Sequence, residues 1–167
     1  TGIAKTLTEA AYIHRVLDGT KATEEEIKKI GLESASPQIL HLATHGYFFP
    51  DPETVAQPQA STNTIRTSDN PMIRSGLILA GANHAWQGKD PLPGREDGIL
   101  TAFEISRLNL TNTELVVLSA CETGLGDIKG NEGVYGLQRA FKMAGARYLI
   151  MSLWQVPDEE TKDFMLT

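Results

Sequence analysis

The chain has 167 residues, 41% of them hydrophobic, enough to bury one core within the usual size of a single domain. Its 15 basic residues against 21 acidic ones give a formal net charge of −6, the wrong sign for neutralising phosphates, so nucleic acid and membrane surfaces are not expected as partners. No apolar run approaches the roughly 18 residues of a membrane span, and no signal-peptide pattern opens the chain. Cys121 stands alone and cannot close an internal disulfide, so a soluble, cytoplasmic protein is expected. The chain starts at Thr1 without Met and stops within a helical pattern at Phe164-Met165-Leu166-Thr167, which reads as a piece excised from a larger protein.

A helical pattern covers Thr8 to Leu17 through Ala11, Ile13 and Leu17, and Asp18-Gly19 closes it with a turn signal. Thr23 with Glu26 three residues on makes a capping box for a second helix, with Ile27, Ile30 and Leu32 as its buried stripe. Ser36-Pro37 breaks the chain before the apolar run Gln38 to His45, a predicted buried strand ending at His45. From Phe49 to about Ser75, Pro, Gln, Ser, Thr and Asn dominate, predicting a long mobile loop. Gly76 to Gly81 reads as a short strand, Ile99 to Leu108 as a helix, and Leu115 to Ala120 as a strand buried on both faces. After the glycine-rich stretch Gly124 to Gly130, Glu132 to Ala144 has helical spacing through Val134, Leu137, Ala140 and Phe141, with Gly145 as the cap. Tyr148 to Leu153 is a last strand. Helices alternating with apolar strands predict one α/β domain over residues 1–167, a three-layer sandwich whose mostly parallel sheet has helices on both faces.

In open parallel sheets chemistry sits beyond the carboxyl ends of the strands, where both His45 and Cys121 are expected. A thiol with its usual pKa of about 8.5 is only a few per cent ionised at neutral pH, so it needs a neighbouring imidazole to take its proton. His45 fits that role for Cys121. The backbone N–H groups of Gly46 and Cys121 are the natural donors to an oxyanion formed in acyl transfer.

Strand-His45-Gly46 followed by strand-Ser119-Ala120-Cys121-Glu122-Thr123-Gly124 is similar to the His-Gly and Gln-Ala-Cys-x-Gly elements of caspases, at a wider spacing of 76 residues between His45 and Cys121. Five strings taken together resemble the CHAT domain: 40–46, Leu-His-Leu-Ala-Thr-His-Gly; 75–81, Ser-Gly-Leu-Ile-Leu-Ala-Gly; 97–105, from Asp97 to Ile105; 118–124, Leu-Ser-Ala-Cys-Glu-Thr-Gly; and 152–158, Ser-Leu-Trp-Gln-Val-Pro-Asp. The resemblance implies a caspase-like (clan CD) fold and a His45–Cys121 dyad peptidase that acts on a protein or peptide substrate. It also implies regulation by fused or partner modules, since such domains are usually attached to tetratricopeptide repeats in bacteria. The resemblance implies that upstream repeats and a closing C-terminal helix are to be expected outside this chain. The resemblance further implies that Trp154, Gln155 and Val156 pair with an extended substrate backbone, against the plainer reading that Trp154 packs over the core.

Other residues are less specific. Glu122 and Asp127 either accept a basic substrate side chain or form a solvated turn. His41 and His45 lie four apart, which on a strand is about 13 Å, too far for one metal ion at bond lengths of about 2 Å, so no metal and no cofactor are expected. His41 reads as a core histidine bonded to a neighbouring loop, and His14 and His84 as surface positions. The stretch 124–130 lacks the Gly-Lys-Ser/Thr ending of a phosphate loop. Arg66 and Arg74 in the polar loop are natural points for self-cleavage. The rival to the enzyme reading is a catalytically silent signalling module on the same scaffold.

Overall fold

The computed structural model describes residues 2–49, 65, 68–91, 93–119 and 132–151. In chain order its elements are α1 (Gly2–Glu9), α2 (Glu24–Lys28), β1 (Ile39–Leu42), β2 (His45–Phe48), β3 (Ser75–Ile78), α3 (Asn83–Trp86), β4 (Ile99–Thr101), α4 (Ala102–Ile105), β5 (Leu115–Leu118), α5 (Glu132–Met143) and β6 (Tyr148–Met151). The content is mixed α/β, as expected, but the strands form two three-stranded sheets: β1-β5-β6, all parallel, and β2-β3-β4, antiparallel.

The parallel sheet follows from its residues. Leu40, Leu42, Val116 and Leu118 alternate onto one face and are buried there, against Ile105 of α4 and Leu137, Ala140 and Phe141 of α5. Each such leucine, isoleucine, valine or phenylalanine side chain, fully buried, contributes about 1.5–3 kcal/mol relative to exposure. Residues 39–42 lie in register with 115–118, and these with 148–151. The opposite face carries Ile39, Tyr148 and Ile150, at 62%, 58% and 58% exposure, so among the described residues helices cover one face of this sheet. The expected helical layer on both faces is therefore not found among them.

Three local expectations need correcting. The first helix lies at Gly2–Glu9 instead of Thr8–Leu17: Ala11 adopts φ 59, Tyr12 N–H bonds Leu7 O at 2.9 Å and Ala11 N–H bonds Thr8 O at 3.0 Å, a left-handed cap that ends it before the β-branched Ile13 and Val16. The run 38–45 is two strands. β1 ends at Leu42, the chain bends through Ala43 and Thr44, whose hydroxyl bonds the Ile78 carbonyl, and His45 opens β2 where it was expected to close β1. Ile99–Thr101 is a strand, held by Leu77 and Ile78 of β3, and only then does Thr101 cap α4. There Glu104 N–H bonds Thr101 Oγ1 at 3.2 Å and Thr101 N–H bonds Glu104 Oε2 at 2.9 Å. Short apolar runs do not separate helix from strand by spacing alone, and a ladder partner decided this one.

Thr23 caps α2 as its spacing predicts, its Oγ1 accepting from Glu26 N–H at 3.4 Å, and Ile27 is buried while Leu32 is 74% exposed. Gly145, at φ 106, follows α5 as the predicted cap. In β3, Gly76 is required by close approach: a Cβ there would lie 2.5 Å from Leu100 O and 2.8 Å from the Tyr47 ring.

Candidate functional site

β1 and β5 are parallel neighbours, and their ladder continues one step past the strands through Ser119 N–H to Leu42 O at 2.9 Å. Beyond that rung β1 turns away. His45, exposed, opens β2 opposite Ile78, and Gly46, buried, lies opposite Leu77. Tyr47 anchors this strand from within: it is 4% exposed, its hydroxyl donates to Ile73 O at 3.2 Å, and its ring meets Phe49 at 5.4 Å and Trp86 at 5.6 Å. Burial pushes its phenol well above the usual range.

His41 is half-buried on β1, with Nε2 2.8 Å from Ser119 Oγ at the end of β5: it is bonded, as expected, but it lies on the face away from the core, which corrects the expectation of a core histidine. Burial pushes the imidazole below its ordinary value. His14 and His84 are exposed, as expected.

The antiparallel sheet is tied to α2 by charge. Glu24, 1% exposed, accepts Gly98 N–H at 2.8 Å at the start of β4. Lys28 Nζ lies 2.7 Å from Glu24, 2.9 Å from Glu104 and 3.1 Å from Glu96. Burial raises the Glu24 carboxyl to about 7, opposed by the Lys28 ammonium. Burial works against the charge of Lys28, yet the three carboxylates hold it well above the usual lysine range. Burial likewise opposes ionisation of Glu104, but hydrogen bonds from Lys28 and Thr101 keep it below the ordinary carboxylate value. Next to this cluster a cavity of about 280 Å³ is lined by Thr23, Glu25, Arg95, Glu96 and Asp97, and by Ala80, two residues beyond the partner of His45. The i,i+4 spacing of Glu24 and Lys28 was visible in the sequence. The arrival of Glu96 and Glu104 was not.

Of the expected site residues, His45 and Gly46 are described, while Cys121, Glu122, Asp127, Trp154, Gln155 and Val156 lie outside the described residues, as does Arg66. Arg74 is 1% exposed, so the expectation of self-cleavage there is corrected: a protease needs an accessible, extended backbone, and Arg74 O already accepts Phe49 N–H at 2.8 Å. No group of three or more His, Cys, Asp or Glu that could hold a metal occurs among the described residues, and no helix among them is long and apolar enough to cross a membrane.

The fold defines an α/β domain in which a parallel sheet hands one strand directly to a short antiparallel ribbon. The CHAT domain family matches residues 2–167, and the chain belongs to that family. It is 27% identical over 154 residues to Tetratricopeptide repeat protein 28 of Mus musculus, a match covering 89% of this chain and 6% of that protein. The chain thus spans a small part of the curated relative it matches. No solved structure matches it.

Proposed function

We propose that the domain is a cysteine endopeptidase with a caspase-like fold, in which Cys121 attacks the scissile carbonyl and His45 takes and later returns the proton. The observation that carries this reading is the β1–β5 register. Leu42 pairs with Leu118, and His45 and Cys121 each follow in the chain by three residues. The exposure of His45 suits a base that must reach substrate. Gly46 and Cys121 supply the oxyanion N–H groups in this reading. Trp154, Gln155 and Val156 align the substrate backbone, and Glu122 and Asp127 favour a basic residue before the cleaved bond. Membership of the CHAT family supports it, and the tetratricopeptide repeat relative supports a repeat region as regulatory partner in the full-length protein.

A second reading is a catalytically silent signalling module whose scaffold relays between repeats and a partner. Peptidyl acyloxymethyl ketones with arginine, leucine or aspartate next to the warhead separate the two. Labelling of Cys121 that His45→Ala abolishes is expected for the enzyme. A thiol that reacts with iodoacetamide but with none of these probes would leave the module.

A further inference from the structure

On a strand, alternate residues share a face, so the register puts Ile39 and His41 of β1, Leu115 and Val117 of β5, and Tyr148 and Ile150 of β6 on one side of the parallel sheet, with Ser119 continuing the β5 row. Apart from the tyrosine ring these neighbours are aliphatic. Ile39, Tyr148 and Ile150 on this face stay largely exposed, while His41 and Ser119 are half-buried, so the imidazole and the hydroxyl lose part of their hydration, a cost that their mutual bond at 2.8 Å offsets. The bond joins side chains of β1 and of the residue following β5, alongside the rung from Ser119 N–H to Leu42 O, where the two strands part. In the chain, Ser119 precedes Cys121 by two residues and His41 precedes His45 by four.

We infer that His41 and Ser119 are a positioning pair, clipping the strand that leads to His45 onto the strand that leads to Cys121 and so setting the spacing of the two reactive groups. The inference rests on the dyad reading above. Without the clip, the backbone rung from Ser119 N–H to Leu42 O is what remains against fraying at the carboxyl end of the ladder, where the strands part. A displacement of about 1 Å is enough to cost on the order of 100-fold in rate. Burial lowers the pKa of His41, which favours the uncharged imidazole that bonds the serine.

The test is the pH profile of Cys121 alkylation by iodoacetamide, together with the rate of peptidyl-ketone labelling, in the whole chain. A merely structural role would move the melting temperature and leave the profile where it is. Ser119→Ala, the smaller change and the one expected to keep the fold, should slow labelling by about ten- to a hundredfold and move the profile up towards an ordinary thiol near pH 8.5. His41→Ala should do the same, the double variant no more than either alone, and Ser119→Thr, which keeps the hydroxyl, should restore most of the rate. If Ser119→Ala leaves both profile and labelling unchanged while His45→Ala shifts them, the clip is overturned and the dyad stands. If His45→Ala itself leaves the profile unchanged, the dyad reading falls and the clip with it.

Discussion

The parallel and antiparallel sheets are of equal strand number and share one apolar core through Leu77 and Leu100, but a buried charge cluster adds to the hold on the antiparallel one. The parallel sheet is bound through Leu40, Leu42, Val116 and Leu118 to the helices beneath it, an apolar and pH-indifferent attachment, with His41–Ser119 as its one polar cross-strand clip among the described residues. The antiparallel ribbon buries Leu77, Ile99 and Leu100 as well, but its position against α2 is set by Glu24, Lys28 and Glu104. His45 belongs to the ribbon, whereas the strand leading to Cys121 belongs to the parallel sheet.

The largest break should come from the core. Phe141→Ala removes a ring with 0% exposure beneath the parallel sheet and should cost about 3–5 kcal/mol, read as a lower denaturant midpoint. A cost near zero would mean that the helices do not carry that sheet.

Next comes the charge cluster. Lys28→Met leaves the buried Glu24 carboxylate without its ammonium and should cost about 2–3 kcal/mol in the same unfolding measurement, less than for a wholly buried pair because Lys28 keeps 28% exposure. Thr101→Ala then removes one half of the capping box of α4 and should cost about 1 kcal/mol by thermal melting.

The smallest effect is also the sharpest contrast between the sheets, because their titrating groups act in opposite senses. Glu24 is raised in the fold from 4.5 to about 7, so its contribution to stability is full below pH 4.5 and is lost as pH rises through about 7. His41 is lowered from 6.5, so its contribution is present above pH 6.5 and is lost as pH falls through its folded value. Denaturant midpoints measured from pH 4 to 8 should show Glu24→Gln flattening the decline towards neutral pH, and His41→Gln flattening the decline towards acid. Unchanged profiles in both would mean that neither group titrates as its burial requires.

Much of this architecture was legible from local pattern. The Thr23 cap, the strand Leu115–Leu118 and the helix Glu132–Met143 with its Gly145 stop lie where their residues predict, because a cap, an unbroken branched run and a 3.6-residue period act within a few positions of themselves. The motifs around His45 and Gly46 were equally plain as strings. What they could not convey was that the chain turns at Ala43-Thr44, so that His45 starts a strand of the second sheet.

Chain chemistry alone therefore specified the kinds of most elements, the family and the candidate reactive residues, since each depends on neighbours close in sequence. Tertiary packing decided which short apolar runs became strands, as at Ile99–Thr101, because a ladder partner some twenty residues away supplies the hydrogen bonds that the run lacks. It also brought His41 to Ser119 and Glu104 to Lys28, contacts 78 and 76 residues apart, for which no local periodicity exists and only the juxtaposition of folded strands and helices can select.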